Sequence, residues 1–397
     1  MTDTGSGTAL DAMDIVDVVA LGESMVTFLP TRPGRLADVP AFDRAIGGAE
    51  SNVACVLAAA GHSARWVSRV GADGFGDHLL AAIRQHGVDV TAVRRDPARP
   101  TGIYFRTAGD RSGRDHEVAY YRAGSAASAM TVDTVDLAAL RAARVLHLSG
   151  ITAALSDGCL DLLRTLTTPR PGRGPLVSFD VNFRPSLWPD AAAPRVLLDL
   201  ARGCDLVFVG TDEAEAAWGV GGGPAAIRAL LPEPPVLVVK DGAHGATVFE
   251  RTAGADEVAG RVADEGPGKD TRTSVPALRV EVIAPVGAGD AFAAGFLSAT
   301  LRGLSVRERI RCGHLMAAAA LTVPGDFAAP PSRDHADRLI ALDDEAWGRL
   351  RLGPGWTRIT GRADPEAQDP EEPAAQDPGA QDPEAPAPDA QEEVPTP

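Results

Sequence analysis

Five short apolar runs, at residues 15–21, 145–148, 176–179, 206–209 and 236–239, recur between segments of helical periodicity. Strands spaced by helices in this way predict a doubly wound α/β fold, a mostly parallel sheet covered by helices on both faces. Polar residues follow the runs directly: Ser149 and Gly150, Asp180 with Asn182 and Arg184, Asp212 with Glu213, and Lys240 with Asp241 and Gly242. Open α/β sheets bind ligands at the carboxyl ends of their strands, so these clusters place a site along one edge of the sheet.

A second pattern interrupts the first. Runs at 102–107 and 116–122 are joined by Gly-Asp-Arg-Ser-Gly-Arg with no helix between them, which predicts a hairpin. A hairpin cannot enter a parallel sheet in that order. It is expected to pair with strands at 24–29 and 42–46 in a small β-sheet lid, built from residues 23–46 and 101–122, over the ligand crevice. After Lys240, runs at 246–250 and 278–283 read as antiparallel strands flanking a polar stretch, 252–274, which is expected to be a mobile surface insertion.

Composition adds boundaries. The 397 residues carry a net charge of −16, but eleven Asp and Glu and no Lys or Arg fall between Asp364 and Pro397, leaving −5 for the body. That tail repeats Ala-Gln-Asp-Pro, holds nine prolines and one large aliphatic residue, Val394, and cannot bury a core. The expected organisation is a flexible N-terminus over 1–13, one domain over 14–352 and a disordered acidic tail over 353–397, either a solubilising appendage or a docking segment. No basic stripe suggests nucleic acid. Charge or glycine breaks every apolar stretch and no basic start precedes an apolar core, so the reading is a cytoplasmic protein without a membrane span. Cys55, Cys159, Cys204 and Cys312 lack metal-ligand spacing and lie in apolar segments, so buried thiols are expected, and His147 reads as a satisfied core residue.

The chemistry concentrates in Ala-Pro-Val-Gly-Ala-Gly-Asp-Ala-Phe, residues 284–292, where a glycine-rich turn opens a helical pattern. Gly287 and Gly289 let the backbone turn tightly, and the amides of Ala288, Gly289 and Asp290 then face outward with the helix dipole behind them. Such a cradle holds an anion, while Asp290 is placed to draw a proton from a hydroxyl attacking it. On these residues alone, an ordinary helix start with Asp near its N-cap is the competing reading.

Together with this turn, Gly-Gly-Ala-Glu-Ser-Asn-Val-Ala at 47–54 and Arg-Val-Gly-Ala-Asp-Gly-Phe-Gly-Asp at 69–77 resemble the two signatures of the PfkB, or ribokinase-like, carbohydrate kinases, in the right order. The resemblance runs from about residue 18 to 332. It implies a ribokinase-like fold with a β-sheet lid and transfer of the ATP γ-phosphate to a sugar hydroxyl, with Asp290 as base and the Gly287-to-Asp290 amides as anion hole. It also implies ATP and Mg2+ as cofactors, and lids that meet in a homodimer.

Within the family, Leu-Gly-Glu-Ser-Met-Val at 21–26, Thr-Gly-Ile-Tyr at 101–104, the run from Tyr120 to Ser128 and Phe-Asp-Val-Asn-Phe-Arg-Pro at 179–185 are most similar to 2-keto-3-deoxygluconate kinases. That substrate carries a carboxylate, and Arg122 on the lid and Arg184 at a strand end are candidates for charge-assisted bonds to it. Tyr104 and Tyr120 either offer hydroxyls to the sugar or pack across strands. Gly48 and Asn52 resemble the family's sugar-binding turn, Asn52 having the alternative of a helix N-cap. Lys240, Gly242 and Gly245 resemble its nucleotide-side strand and turn, Lys240 otherwise snorkelling from a strand end. Glu213 is the candidate for placing magnesium through water, with Asp212 or Glu215 as alternatives, and all three otherwise favour a helix N-terminus.

Two positions depart from the family pattern. Ala284 replaces the usual Asp in a region that helps hold a monovalent cation, which puts K+ activation in doubt, and Gly210 replaces the Asn that usually begins the acidic motif. Three readings therefore stand: a sugar-acid kinase, a kinase for a neutral sugar or nucleoside, and a non-catalytic sugar- or nucleotide-binding regulator on the same fold.

Overall fold

A computed structural model describes residues 14–107, 117–169, 174–188, 193–251 and 270–358. Its main sheet has eight strands in the spatial order Asp270–Val275, Ala246–Arg251, Val236–Lys240, Leu206–Gly210, Leu176–Asp180, Ala143–Ser149, Val16–Leu21 and Ala64–Val67. The six from Val236–Lys240 onward are parallel, and the first two join antiparallel. All five apolar runs read from the sequence lie in this sheet.

Those runs are continuous rather than alternating because both faces of the sheet are covered. Successive side chains point to opposite faces, so Val207 and Val209 join one core cluster and Leu206 and Phe208 the other. The first cluster packs under helices that include Asp157–Thr167, and the second under Ala49–Ala59, Ala288–Leu301 and Val306–Leu321. Ala288–Leu301 is buried from Ala291 to Ala299, which explains its near absence of polar residues.

The lid forms as expected. Its four strands run in the order Phe42–Gly47, Met25–Pro30, Ile103–Arg106 and Val118–Tyr121, with only the middle pair parallel. Alternation sorts its faces: Phe105 stacks on Phe28 at 4.7 Å and meets Phe42 edge-on at 5.2 Å, while Tyr104 and Tyr120, directly paired, turn toward the crevice with Arg106. The hairpin's turn lies outside the described residues.

Two expectations change. The strand beside Ala246–Arg251 is Asp270–Val275, not residues 278–283, which contribute only the two-residue strand Arg279–Val280 paired with Arg351–Leu352. Asp270–Val275 is a sheet edge whose side chains are mostly exposed, so its polarity disguises it as loop. Residues 270–274 thus leave the proposed insertion, and 252–269 lie outside the described residues. The folded chain also continues past residue 352, since Trp356 is buried in the second core cluster. Residues 1–13 and 359–397, read as flexible N-terminus and tail, lie outside the described residues. All four cysteines are free and buried, and His147 is buried against Ser178 Oγ at 3.0 Å, its pKa pushed down to about 4 chiefly by burial. Among the described residues no helix is long and apolar enough to cross a membrane.

Candidate active site

A cavity of about 370 Å³ opens between the lid and the carboxyl ends of the parallel strands. It gathers Gly48, Asn52, Tyr104, Tyr120, Arg122, Arg184, Glu213, Lys240, Gly287, Gly289 and Asp290, which the sequence scatters over more than 240 positions. Ala288, in the first turn of the same helix, does not line it, nor do Gly242, Gly245, Asp212 and Glu215.

The glycine turn is built as its sequence implies. Gly287 caps the helix at φ 77°, a left-handed conformation, and a Cβ there would lie 2.2 Å from the Asp326 carbonyl oxygen. Among the described residues no side chain caps this end of the helix, so its first amides are open to a ligand. Asp290 follows in the first turn, and Asn52 Nδ2 donates to its Oδ2 at 2.9 Å. Burial, reinforced by nearby Asp180, pushes the Asp290 carboxyl up to about 7 against the opposing pull of Asn52 and Lys240. A carboxylate that titrates near neutrality, with one oxygen oriented by an amide, is suited to general-base work.

Asn52 is therefore not a cap. Gly48 holds the N-cap position of Ala49–Ala59, and Asn52 lies one turn inside, with its amide across the cavity floor. A Cβ on Gly48 would strike the Glu23 carbonyl at 2.5 Å, so this glycine lets the turn close against the start of the lid. Glu50, in the same motif, is wholly buried with its carboxyl against Gly22; burial lifts it to about 8, so it stays neutral while accepting from Thr152 Oγ1 at 2.5 Å.

The two candidate arginines differ. Arg122 Nη2 lies 2.5 Å from Glu23 Oε2, and both side chains are nearly buried, so this guanidinium is already engaged. Among the described residues Arg184, 52% exposed, meets the Phe183 carbonyl at 3.2 Å and Glu213 Oε1 at 3.7 Å. It is free to turn toward a ligand. Tyr104 packs on Tyr120 with ring centroids 5.4 Å apart, as the packing reading expects, and its hydroxyl donates to Asp326 Oδ2 at 2.7 Å.

The nucleotide-side candidates divide between the cavity and the fold. Lys240 lies in the same cavity as the sugar-side residues, its Nζ 3.0 Å from Asp180 Oδ2. Gly245 serves the fold: at φ 133°, a Cβ would lie 2.3 Å from the Val275 carbonyl oxygen. Gly242 starts a short 3₁₀ turn at φ 51°. Glu213 Oε2 accepts from Gly210 N at 2.7 Å, the helix-start role, while its carboxylate still borders the cavity.

Sequence reasoning missed Glu23, Arg106 and Asp326. Arg106 Nη2 bonds Asp326 Oδ1 at 2.7 Å with both side chains buried, so the lid is tied to the loop that cradles Gly287. Only the lid alternation, which puts Arg106 on the face of Tyr104, hinted at this.

A 2-dehydro-3-deoxygluconokinase from Bacillus subtilis (strain 168) is 35% identical, aligning 80% of this chain with 94% of its own length. One from Thermoproteus tenax is 34% identical, aligning 82% with 94%. Plant fructokinases match at 28–30% identity. The crystal structure of a PfkB protein from Polaromonas sp. JS666 superposes with a TM-score of 0.67 at 34% identity, covering 81% of this chain and 99% of that one. The pfkB family carbohydrate kinase domain matches residues 16–333, and with Asp290 seated in its helix-start cradle beneath a four-stranded lid, the chain belongs to that family.

Proposed function

We propose that this kinase transfers the γ-phosphate of ATP to a hydroxyl of a sugar acid, with 2-keto-3-deoxygluconate as the substrate it fits best. The observation that carries the reading is the pairing of a buried base in an anion cradle, Asp290, with a guanidinium at the cavity that no strong partner occupies, Arg184. The sugar hydroxyl gives its proton to Asp290 as its oxygen attacks the γ-phosphorus. Meanwhile Asn52 holds the other carboxylate oxygen, and the amides after Gly287 hold the phosphoryl oxygens. Under the lid water is excluded, so ATP is kept from hydrolysis. The higher identity to 2-dehydro-3-deoxygluconokinases than to fructokinases supports the acid over a neutral sugar.

Among the described residues no cluster of three or more ligating side chains exists for a metal. That fits Mg2+, which keeps its waters and arrives on nucleotide phosphates, with Glu213 as the carboxylate to meet it through water. The ion would neutralise charge on those phosphates. Ala284 offers no carboxylate near the turn, and we infer turnover without K+.

Arg184→Gln should lower kcat/KM for the acid on the order of 10- to 100-fold, the worth of one charge-assisted bond. For a neutral sugar the loss should be at least about tenfold smaller. Equal losses on both substrates would remove Arg184 from carboxylate recognition. The pH profile is a second check. Asp290 must be ionised to accept a proton, so kcat/KM should fall about tenfold per unit below about pH 7 and level off above it. A rate flat down to pH 5 would contradict a base titrating there.

A further inference from the structure

Lys240 places a positive charge beside the anion cradle, and the proton-transfer account above does not use it. Its Nζ lies 3.1 and 3.0 Å from the two carboxylate oxygens of Asp180, and a Cβ built on Gly289 would come within 3.6 Å of it. The ammonium therefore stands next to the second residue of Ala288–Leu301, among amides that carry the positive end of the helix dipole. Two positive groups side by side in a buried site repel each other; Asp180 bonds the ammonium, and Glu213 and Asp290 also act on its charge, but among the described residues no side chain caps the helix-start amides beside it. An anion between them would satisfy both.

The side chains of Lys240 and Asp180 are only 18% and 4% exposed, so solvent does not take over that role. Burial alone would push the lysine's pKa down, but the carboxylates of Asp180 and Glu213 outweigh it and hold Lys240 protonated. Arginine supplies 36 of the 38 basic residues of this chain, yet lysine stands here. A guanidinium would lock onto Asp180 in a planar fork, whereas an ammonium is a compact charge on a flexible stem, able to shift between two anions.

We propose that Lys240 is a catalytic residue whose ammonium grips the non-bridging oxygens of the phosphoryl group in flight, and that Asp180 is the positioning carboxylate that aims it at Gly289. The proposal rests on the phosphoryl-transfer reading of the same cavity. As the sugar oxygen bonds to the γ-phosphorus, the bond from phosphorus to the β,γ-bridging oxygen breaks and its electron pair leaves with ADP. The hydroxyl proton goes to Asp290, and Lys240 keeps its own proton throughout.

The test compares Lys240→Met, Lys240→Arg, Asp180→Asn and the double variant Lys240→Met/Asp180→Asn. Each is assayed for kcat, for KM of both substrates and for thermal unfolding, on whichever sugar the unaltered protein phosphorylates. Lys240→Met should lose on the order of 10²–10³ in kcat, the scale for one transition-state donor, with the sugar KM changed less than about threefold. Lys240→Arg should recover part of the rate. The double variant, which removes both members of the bonded pair, should regain thermal stability but stay as slow as Lys240→Met. A double variant whose kcat returns to within about tenfold of the unaltered protein would reduce the pair to a structural ion pair and overturn the proposal. So would Lys240→Met at full kcat with only a raised sugar KM. If the unaltered protein releases no ADP on any sugar tested, the phosphoryl-transfer reading fails and takes this proposal with it. If it turns over beside an equally fast Met variant, only the role of Lys240 is lost.

Discussion

Replacing Asp290 by Asn is expected to lower kcat by about three orders of magnitude, within the 10²–10⁴ range that general-base catalysis supplies, while the KM for ATP stays within about threefold. The argument is local. An amide of the same shape fills the space and still meets Asn52, but it cannot take the hydroxyl proton. The side chain is fully buried and its carboxyl is lifted to about 7 by that burial, so removing the charge also removes a desolvation cost. Sign matters here: a carboxyl raised in the folded state loses stability as pH climbs from its ordinary value through 7, and the Asn variant escapes that loss. At pH 8 the variant should therefore unfold no earlier than the unaltered protein, which separates lost chemistry from lost structure. A near-normal kcat in Asp290→Asn would remove Asp290 from the base role.

Asp326→Ala is expected to destabilise the fold by about 3–5 kcal/mol in denaturant unfolding, because it leaves the buried Arg106 guanidinium without its charge partner. It also strips Tyr104 of the acceptor for its hydroxyl. Asp326→Asn, which keeps an acceptor for Tyr104, should cost clearly less. Activity should fall with the same change, since the Asp326 backbone packs against Gly287 while its side chain holds the lid strand Ile103–Arg106. This one residue joins the lid to the phosphate cradle. A measured cost below about 1 kcal/mol for the Ala variant would mean the ion pair is not formed in solution.

What the sequence disclosed and what it withheld follow the range of the interactions. The parallel strands, the lid and the turn at Gly287 were legible because apolar runs, alternation and glycine punctuation are local signals. Asp290 could be singled out because it lies in the first turn of the helix that the glycine turn opens. The strand Asp270–Val275 was misplaced because an exposed edge strand need not look apolar, and the chain from Gly353 to Arg358 was cut away although Trp356 anchors it in the core. The pairings within the site lay beyond such signals. Arg106 meets Asp326 across 220 positions, Lys240 meets Asp180 across 60, and Arg122 meets Glu23 across the lid, so only the folded chain reveals that one arginine is engaged and the other is open. Lys240 was singled out at a strand end, but a strand end alone does not tell which neighbour it faces, and its bond to Asp180 emerges only in the folded chain.

The most direct test of the central claim is kcat/KM measured by ADP release at saturating magnesium ATP, comparing 2-keto-3-deoxygluconate with fructose and ribose in one assay without added K+. A site that offers Arg184 to a carboxylate should favour the acid by about 10²-fold or more, the value of one to two charge-assisted bonds. Equal or faster turnover of fructose would leave the carbohydrate kinase in place and contradict the sugar-acid assignment.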